Sequence, residues 1–349
     1  MLTIVGDCDQ RLFGMKPADR LFRQTLNMRE LHLVAHACAV LSDDTVTWLI
    51  NHPGTVVASS GGRPLAAVVD SAGIDAARKT IEGEKGLSVT RADAIEPVYV
   101  RKLRRTLTPL ALALGEQPRP VVERKLFASV YKGVTDIVTK YAWPEPALWL
   151  TRGAAALGIS PNFVTILGLI LTLLAGWQFY AGNLAIGMAA AWLMTLLDTV
   201  DGKLARVTLT SSEFGNLLDH GNDLIHPPLW WLCLAHGIAL VQPGNSLVWP
   251  ACWTILATYL VSRFLEKGFK ARFGFNPFMW TRFDSQFRMV ISRRNIILLI
   301  MTIGLLLQRP AEAFAICAAW SLLSVLIQAG RYAQASVIGQ RELIQPWLS

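Results

Sequence analysis

Residues 183–241 read NLAIGMAAAWLMTLLDTVDGKLARVTLTSSEFGNLLDHGNDLIHPPLWWLCLAHGIALV. Both ends of this stretch are apolar runs of about the 20 residues that a helix needs to cross a bilayer. Between them lie two pairs of aspartates, three and four residues apart: Asp198, Asp201, Asp219 and Asp223. Each spacing puts both members of a pair on one helix face, and Thr210 with Glu213 forms a T-x-x-E pattern that predicts the start of the second helix. Because antiparallel helices with a short connection are neighbours, we predict that all four carboxylates converge on one cavity at the membrane boundary.

Four carboxylates at membrane depth cost free energy unless they line a cavity or bind an ion. They could not all stay ionised close together without cations between them. Oxygen ligands in this number favour magnesium, manganese or calcium over zinc. The alternative is that the aspartates are unrelated residues that cap helices or pair with Lys203 and Arg206. Four of them facing one way at this depth favour a shared cation site.

The remainder of the chain after about residue 160 is also dominated by apolar runs. The predicted spans are 162–181, 183–201, 220–241, 246–266, 293–309 and 311–330. The whole chain of 349 residues is 52% hydrophobic and only 17% charged, which is too apolar for an ordinary soluble protein of this size. Lys and Arg concentrate on one side of the predicted topology, and this excess marks the cytoplasmic side. We therefore expect a multi-pass protein of the bacterial inner (cell) membrane with both termini in the cytoplasm.

The first part of the chain has a different, mixed composition. Strand-like runs occur at Leu2 to Val5, Thr55 to Ala58 and Leu65 to Val69, and helical stretches at Pro17 to Leu41 and Ile74 to Ile81. This alternation predicts a small cytoplasmic α/β domain over residues 1–118. A juxtamembrane helical segment over 119–159 and a six-helix α-helical membrane domain over 160–349 complete the predicted organisation.

The juxtamembrane segment contains charged and amphipathic stretches. We interpret Lys125, Lys132, Asp136 and Lys140 as solvated or lipid-facing charges. The stretch EPALWLTRGAAALGISPN (145–162) carries apolar residues at helical spacing beside Arg152. It fits a helix that lies along the membrane surface, and it fits an ordinary linker helix equally well.

From Asp198 to Asp223 the residues follow the pattern D-x2-D-G-x2-A-R-x8-G-x3-D-x3-D at all eight specified positions. In this the chain resembles the CDP-alcohol phosphotransferase family. The stretch ISPNFVT (Ile159 to Thr165) is similar to the sequence with which that family's membrane domain usually begins. The resemblance covers about residues 145 to 335 and implies a six-helix membrane domain that forms a homodimer.

The resemblance also implies roles for particular residues. Asp198, Asp201 and Asp219 would bind two divalent cations, Mg²⁺ or Mn²⁺, and Asp223 would lie near the metals and act as the general base. The residues implied in binding the cytidine nucleotide are Gly202, Ala205, Gly215, Asn162, Thr165 and Arg206, the last of which would support the motif or contact phosphate. The implied reaction moves a phosphoalcohol group from a CDP-alcohol, with CDP-diacylglycerol one candidate, to a hydroxyl acceptor and releases CMP. Physical chemistry agrees, because this transfer needs neutralised diphosphate charge, an in-line acceptor and a proton acceptor.

Three arginines lie at the cytoplasmic mouth of the fifth predicted span: Arg288, Arg293 and Arg294. Arginine suits bidentate contacts to phosphate. Positive charge that only sets the topology is the alternative, and we favour it for Arg288. Family members that use a phosphorylated polyol such as inositol phosphate have basic residues in a similar place, so the resemblance allows an acceptor of this class.

The α/β domain bears a faint likeness to a nucleotidyltransferase. Its first loop offers only Gly6 and Gly14 where a working phosphate loop is glycine-rich, and Asp43 and Asp44 are interpreted as loop residues rather than remnants of a metal site. We therefore expect a degenerate domain that supports docking or dimer formation. An active N-terminal cytidylyltransferase, which would make the enzyme bifunctional, is the alternative.

A different class of function is a cation transporter whose carboxylates form an ion path. Transporter carboxylates tend toward the bilayer midplane and are not followed by G-x2-A-R, which favours the transferase. The net charge is +8, and the basic residues cluster beside the apolar spans rather than in a separate basic domain. Lipid head groups and phosphate substrates, and not nucleic acid, are therefore the expected partners.

Overall fold

The computed structural model of the chain describes residues 1–26, 28, 31–339 and 342–348, without the side chains of Phe214, Asn216, Asp219 and His220. Two compact units are present. The first consists of Met1–Gly133, Leu148–Ser160 and Gly202–Ser211, and the second of Val134–Ala147, Pro161–Asp201 and Ser212–Ser349.

Most of the first unit is an α/β domain. Its strands are β1 (Leu2–Val5), β2 (His32–His36), β3 (Ala39–Leu41), β4 (Thr55–Ala58), β5 (Pro64–Val69), β6 (Ser88–Arg91), β7 (Val98–Val100), β8 (Arg105–Leu107) and β9 (Ala111–Ala113). Its helices are α1 (Pro17–Thr25), α2 (Asp43–Asn51), α3 (Ile74–Ile81) and α4 (Arg119–Ser129). The main sheet runs in the order β1-β2-β5-β4-β6, with parallel β1-β2 and β4-β6 pairs and antiparallel pairs between them. Two small antiparallel sheets, β3-β9 and β7-β8, complete it.

The central strands are covered on both faces. Leu33 of β2 belongs to one core cluster with Leu21 of α1 and Leu49 of α2. Its neighbour Val34 belongs to another cluster with Ala77 of α3. Since successive strand residues point to opposite faces, helices must lie on both sides of the sheet, and this explains why these strands read as continuous apolar runs.

The sequence interpretation was wrong for part of this domain. The predicted helix from Pro17 to Leu41 ends at Thr25, and two strands, His32–His36 and Ala39–Leu41, follow. Residues Leu33 to Ala35 are fully buried and hydrogen-bonded to neighbouring strands on each side, so tertiary pairing overrides their helical spacing. Asp43 and Asp44 are not loop residues, because they form the first turn of α2 behind the N-cap Ser42.

The helices after α4 are α5 (Pro144–Ala156), α6 (Pro161–Tyr180), α7 (Leu184–Val207), α8 (Glu213–Val241), α9 (Val248–Phe273), α10 (Arg282–Val290), α11 (Arg294–Leu306) and α12 (Pro310–Ile338). Within the described residues, α6, α7, α9, α12 and the Gly221–Val241 part of α8 are long and apolar enough to span a membrane. The predicted fold class, a helical membrane domain after a small α/β domain, is confirmed.

The fifth predicted span, 293–309, differs in the structure. Helix α11 has 13 residues, which at 1.5 Å per residue reach about 20 Å and fall short of a bilayer core of about 30 Å. It follows α10 at an angle of 43°, and only the bent pair together passes as a sixth span. The N-cap Arg293 and the first residue Arg294 therefore lie at a break between helices.

An ion pair between Asp284 and Arg331 holds α10 in place next to this break. Asp284 forms a capping box with Thr281 at the start of α10, and its two carboxylate oxygens accept from Arg331 of α12 at 2.7 and 2.8 Å. Asp284 is only 5% exposed, so the bidentate pair is shielded from water and strong. This ion pair therefore links α10 to α12.

Helix α8 begins later than the sequence suggested and contains two prolines. Its N-cap is Ser212, whose hydroxyl accepts from the Gly215 N–H, and not Thr210. Pro227 and Pro228 lie inside the helix and have no N–H to donate to the carbonyls four residues earlier. The Tyr259 hydroxyl donates to the Leu224 carbonyl at 2.9 Å, which satisfies the group that Pro228 leaves without its helical partner.

Helices α6 and α8 approach each other closely at Gly237. A Cβ atom added there would lie 1.9 Å from the Phe179 carbonyl oxygen. Phe179 belongs to the main apolar cluster of the second unit, together with Trp230, Trp231 and Phe314. The glycine therefore permits the contact on which this part of the core depends.

We expect Gly237→Ala to lower the melting temperature of the detergent-purified protein by several degrees, because the added methyl forces the two helices apart at a cost of about 1–3 kcal/mol. Gly168→Ala in α6 is the matched control, since a Cβ at Gly168 meets nothing within 4 Å. Thermal unfolding followed by tryptophan fluorescence measures both. An unchanged melting temperature in Gly237→Ala would contradict this description of the α6–α8 contact.

Candidate active site

The aspartates of the polar stretch lie near the ends of two helices. Asp198 and Asp201 are on α7, one turn apart, and Asp223 is on α8. The Asp198 side chain is 20% exposed, that of Asp223 is 49% exposed, and Asp201 is buried. The side chain of Asp219, the fourth predicted carboxylate, lies outside the described residues.

One guanidinium joins the two aspartate pairs. Arg294, at the start of α11, donates to Asp198 at 2.6 Å and to Asp223 at 2.8 Å. Two carboxylates from different helices therefore meet around a single positive charge. This places the predicted acceptor residue Arg294 directly at the predicted metal ligands.

His226 also lies beside the Arg294 guanidinium. Its Nδ1 lies 2.6 Å from the Asn222 carbonyl, and its Nε2 lies 3.4 Å from Nη1 of Arg294. The carbonyl accepts only from a protonated Nδ1, which leaves Nε2 as an acceptor for Arg294. Sequence reasoning missed His226, although its position three residues after Asp223 on one helix face was a usable signal.

The third described aspartate has a neutral partner. Asp201 accepts from the Thr165 hydroxyl of α6 at 2.7 Å. Nearby in sequence, Asn162 accepts from the Ser212 hydroxyl at 2.9 Å, and a Cβ at Gly215 would lie 2.6 Å from the Asn162 side-chain oxygen. The structure thus brings Asn162 and Gly215 together, and separately Thr165 and Asp201.

The remaining predicted nucleotide residues belong to the first unit. Arg206 donates to the Val130 carbonyl at 3.0 Å. A Cβ at Gly202 would lie 3.3 Å from Nη2 of Arg206, so the guanidinium lies against the glycine one turn earlier. The Ala205 carbonyl accepts from the Thr210 N–H at 2.9 Å.

A cavity of about 120 Å³ within the second unit extends from Asp223 and is lined by all three predicted acceptor residues, Arg288, Arg293 and Arg294. Glu266 of α9 also lines it and forms an ion pair with Arg293. Polar side chains of α9 and α12 form another part of the wall, among them Ser262 and Gln328, which are hydrogen-bonded to each other at 3.0 Å. The cavity combines guanidinium groups with hydroxyl and amide groups.

The interpretation of Asp136 as a solvated or lipid-facing charge was wrong. The residue is only 8% exposed and lines the cavity. It accepts from the Thr139 N–H at 3.0 Å and from the Asn295 amide at 2.9 Å. Burial raises the pKa of this carboxyl, but Arg288 and the hydrogen bonds outweigh that effect and hold the pKa below its usual value. The D-x-x-T spacing of Asp136 and Thr139 was a signal for such a local cap.

The donor chemistry of the site fits a divalent cation. Asp198 and Asp223 already share one cationic group, and carboxylate oxygens are the ligands that magnesium and manganese prefer. Among the side chains that the structure describes, no three acidic, histidine or cysteine groups form a metal-binding cluster. The residues predicted from the sequence to hold the cation are Asp198, Asp201, Asp219 and Asp223.

Known proteins resemble part of the chain. An archaetidylinositol phosphate synthase of Pyrococcus horikoshii is 34% identical over 119 residues, which cover 34% of this chain and 60% of that protein. A bifunctional IPC transferase and DIPP synthase of Rubrobacter xylanophilus is 30% identical over 44% of this chain and 33% of that protein. The chain thus spans less than two thirds of the length of either relative.

A crystal structure of Mycobacterium tuberculosis phosphatidylinositol phosphate synthase with CDP-DAG bound aligns with a TM-score of 0.43 and 22% identity, over 54% of this chain and 94% of that chain. Residues 158–328 match the CDP-alcohol phosphatidyltransferase family. The matched range begins just before α6, ends inside α12 and contains the whole motif from Asp198 to Asp223. The chain therefore contains a CDP-alcohol phosphatidyltransferase domain over residues 158–328.

Proposed function

We propose that the chain transfers a phosphoalcohol group from a CDP-alcohol to the hydroxyl of an acceptor and releases CMP. The observation that carries this proposal is the position of Arg294, which is bonded to Asp198 and Asp223 and also lines the arginine-rich cavity. The family match over residues 158–328 supports the same reaction. An ion path would not need a cavity that offers several guanidinium groups beside its carboxylates.

The residues supply the requirements of phosphoryl transfer. Two divalent cations, Mg²⁺ or Mn²⁺, held by Asp198, Asp201 and Asp219 near Asp223, would neutralise the charge of the donor diphosphate. Asp223, half-exposed at the cavity wall, takes the proton of the acceptor hydroxyl. The acceptor oxygen then attacks the phosphorus in line, and the bond from that phosphorus to CMP breaks. Gly202, Ala205, Arg206, Gly215, Asn162 and Thr165 bind the nucleotide in this proposal.

The proposed acceptor is a polyol phosphate such as inositol phosphate. Arg288 and Arg293 line the cavity together with Arg294, and arginine forks match phosphate oxygens. Ser262 and Gln328 offer hydroxyl and amide groups to the hydroxyls of a polyol. The names of relatives from Pyrococcus horikoshii and Mycobacterium bovis, archaetidylinositol phosphate synthase and phosphatidylinositol phosphate synthase, agree with this class.

The proposed donor is a CDP-linked lipid, CDP-diacylglycerol, taken from the surrounding membrane. We place the protein in the bacterial inner membrane as a homodimer with both termini in the cytoplasm. The basic residues near the C-terminal ends of α7 and α9 support this orientation, since positive charge is retained on the cytoplasmic side: Lys203, Arg206, Lys267, Lys270 and Arg272.

Asp223→Asn is expected to lower CMP release about 10²–10⁴-fold, because an amide cannot take the acceptor's proton. The measurement is CMP formation by purified protein with CDP-diacylglycerol, inositol phosphate and Mn²⁺. Glu213→Gln, an exposed change on the same helix, is the matched control and should retain activity. Full turnover in Asp223→Asn would remove this residue as the base, and absence of CMP from the wild type with every acceptor offered would reject the reaction itself.

Arg288→Met is expected to raise the KM for inositol phosphate about 10–100-fold, since a charge-assisted contact to the acceptor phosphate is lost. The KM for CDP-diacylglycerol should change little. Arg282→Met on the same helix, at an exposed position, provides the control.

Comparison of inositol phosphate with unphosphorylated inositol makes this test specific. The preference of the wild type for the phosphorylated acceptor should shrink in Arg288→Met and persist in Arg282→Met. An equal rise in KM for both acceptors would show that Arg288 does not contact the phosphate.

A further inference from the structure

The carbonyl groups at the end of α7 accept hydrogen bonds from the residues that follow the helix and from side chains of α1. A helix leaves its last carbonyls without partners inside the helix. Here the Leu204 carbonyl accepts from the Thr208 N–H, and the Ala205 carbonyl accepts from the Thr210 N–H. Leu209 between them has φ = 53°, the left-handed conformation that commonly ends helices.

Two further carbonyls, those of Val207 and Thr208, accept from residues far away in sequence. Arg20 donates to the Val207 carbonyl, and Arg23 donates to the Thr208 carbonyl at 2.6 Å. Both arginines belong to α1 of the α/β domain and lie on one helix face, three residues apart. A positive charge is favourable at the C-terminal end of a helix, where the helix dipole is negative.

The Arg20 side chain is buried and charged. It is only 4% exposed, and burial lowers its pKa to about 10, so the guanidinium remains charged at neutral pH. Its neighbour Leu21 is fully buried in the core of the domain. A buried charge is tolerated only with suitable partners, and the end of α7 supplies one in the Val207 carbonyl.

A second set of contacts holds the same two turns of α7. Arg206 donates to the Val130 carbonyl, and the Lys203 ammonium lies 3.8 Å from the centre of the Tyr131 ring. Lys203 is 5% exposed, so this contact is shielded from water. The turns that carry Gly202, Ala205 and Arg206 are thus held by α1 and by the residues that follow α4.

We propose that Arg20 and Arg23 are positioning residues: they cap α7 and thereby hold Gly202, Ala205 and Arg206 in the arrangement that binds the CDP part of the donor. The α/β domain then supports these three residues of its own unit. The capping stands on the contacts alone, whereas its consequence for the donor rests on the proposed function.

The test measures capping and catalysis separately in the full-length protein in detergent. Hydrogen–deuterium exchange of the peptide over residues 204–211 reports the amides of Thr208 and Thr210. In the double variant Arg20→Met/Arg23→Met, and more weakly in Arg23→Met alone, their exchange should be about tenfold faster, as expected when charged hydrogen bonds are removed. Arg23→Lys, which retains the charge, should restore part of the protection.

Gln24→Met is the matched control. It lies on the same helix, but its two hydrogen bonds go to Leu41 and Asp43 inside the α/β domain. Exchange over 204–211 should therefore stay at the wild-type level. An equal acceleration in Gln24→Met would show that loss of domain stability, and not loss of the caps, exposes the segment, and it would overturn the proposal.

The kinetic measurement compares the two substrates. In Arg23→Met the KM for CDP-diacylglycerol should rise severalfold while the KM for inositol phosphate stays near the wild-type value. Faster exchange with an unchanged donor KM would overturn the positioning role, and unchanged exchange in the double variant would overturn the capping. If the wild type releases no CMP while the exchange differences are observed, the proposed reaction fails and the capping is supported.

Discussion

The paired contact of Arg294 with Asp198 and Asp223 connects the elements on which the second unit's site depends. It joins α7, α8 and α11 through one side chain that is 14% exposed. Arg294 begins α11 at the break after α10, and from there its guanidinium reaches both carboxylates. The site is therefore a product of helix packing as well as of a motif.

Much of this arrangement was predictable from local sequence. The lengths of the apolar runs predicted all the spans but the fifth, where the structure has a bent helix pair, and the three-residue spacing placed Asp198 and Asp201 on one helix face. The strands Leu2–Val5 and Thr55–Ala58 and the helix Ile74–Ile81 have the predicted bounds. In each case the deciding information lies within one element, where periodicity and composition act directly.

The features that were missed depend on contacts between distant residues. The residues from His32 to Leu41 are strands because neighbouring strands pair with them, and their own spacing did not show this. Asp136 is buried because Asn295, 159 residues later, binds it. Likewise, Arg20 and Arg23 of α1 donate to the carbonyls of Val207 and Thr208, more than 180 residues later. Every residue has a backbone carbonyl, whatever its side chain, so the sequence contains no motif for contacts of this kind.

The distribution of these contacts along the chain has a consequence for where the domain can be cut. The family match covers residues 158–328 and includes every position of the motif. The Val130 carbonyl that binds Arg206, the Asp136 carboxylate that binds Asn295 and the Arg331 guanidinium that binds Asp284 all lie outside it. A fragment trimmed to the homologous range would keep the complete motif but lose the groups that bind the side chains of Arg206, Asn295 and Asp284. The limits of the family match, residues 158 and 328, therefore do not coincide with the limits of the contacts that hold the fold together.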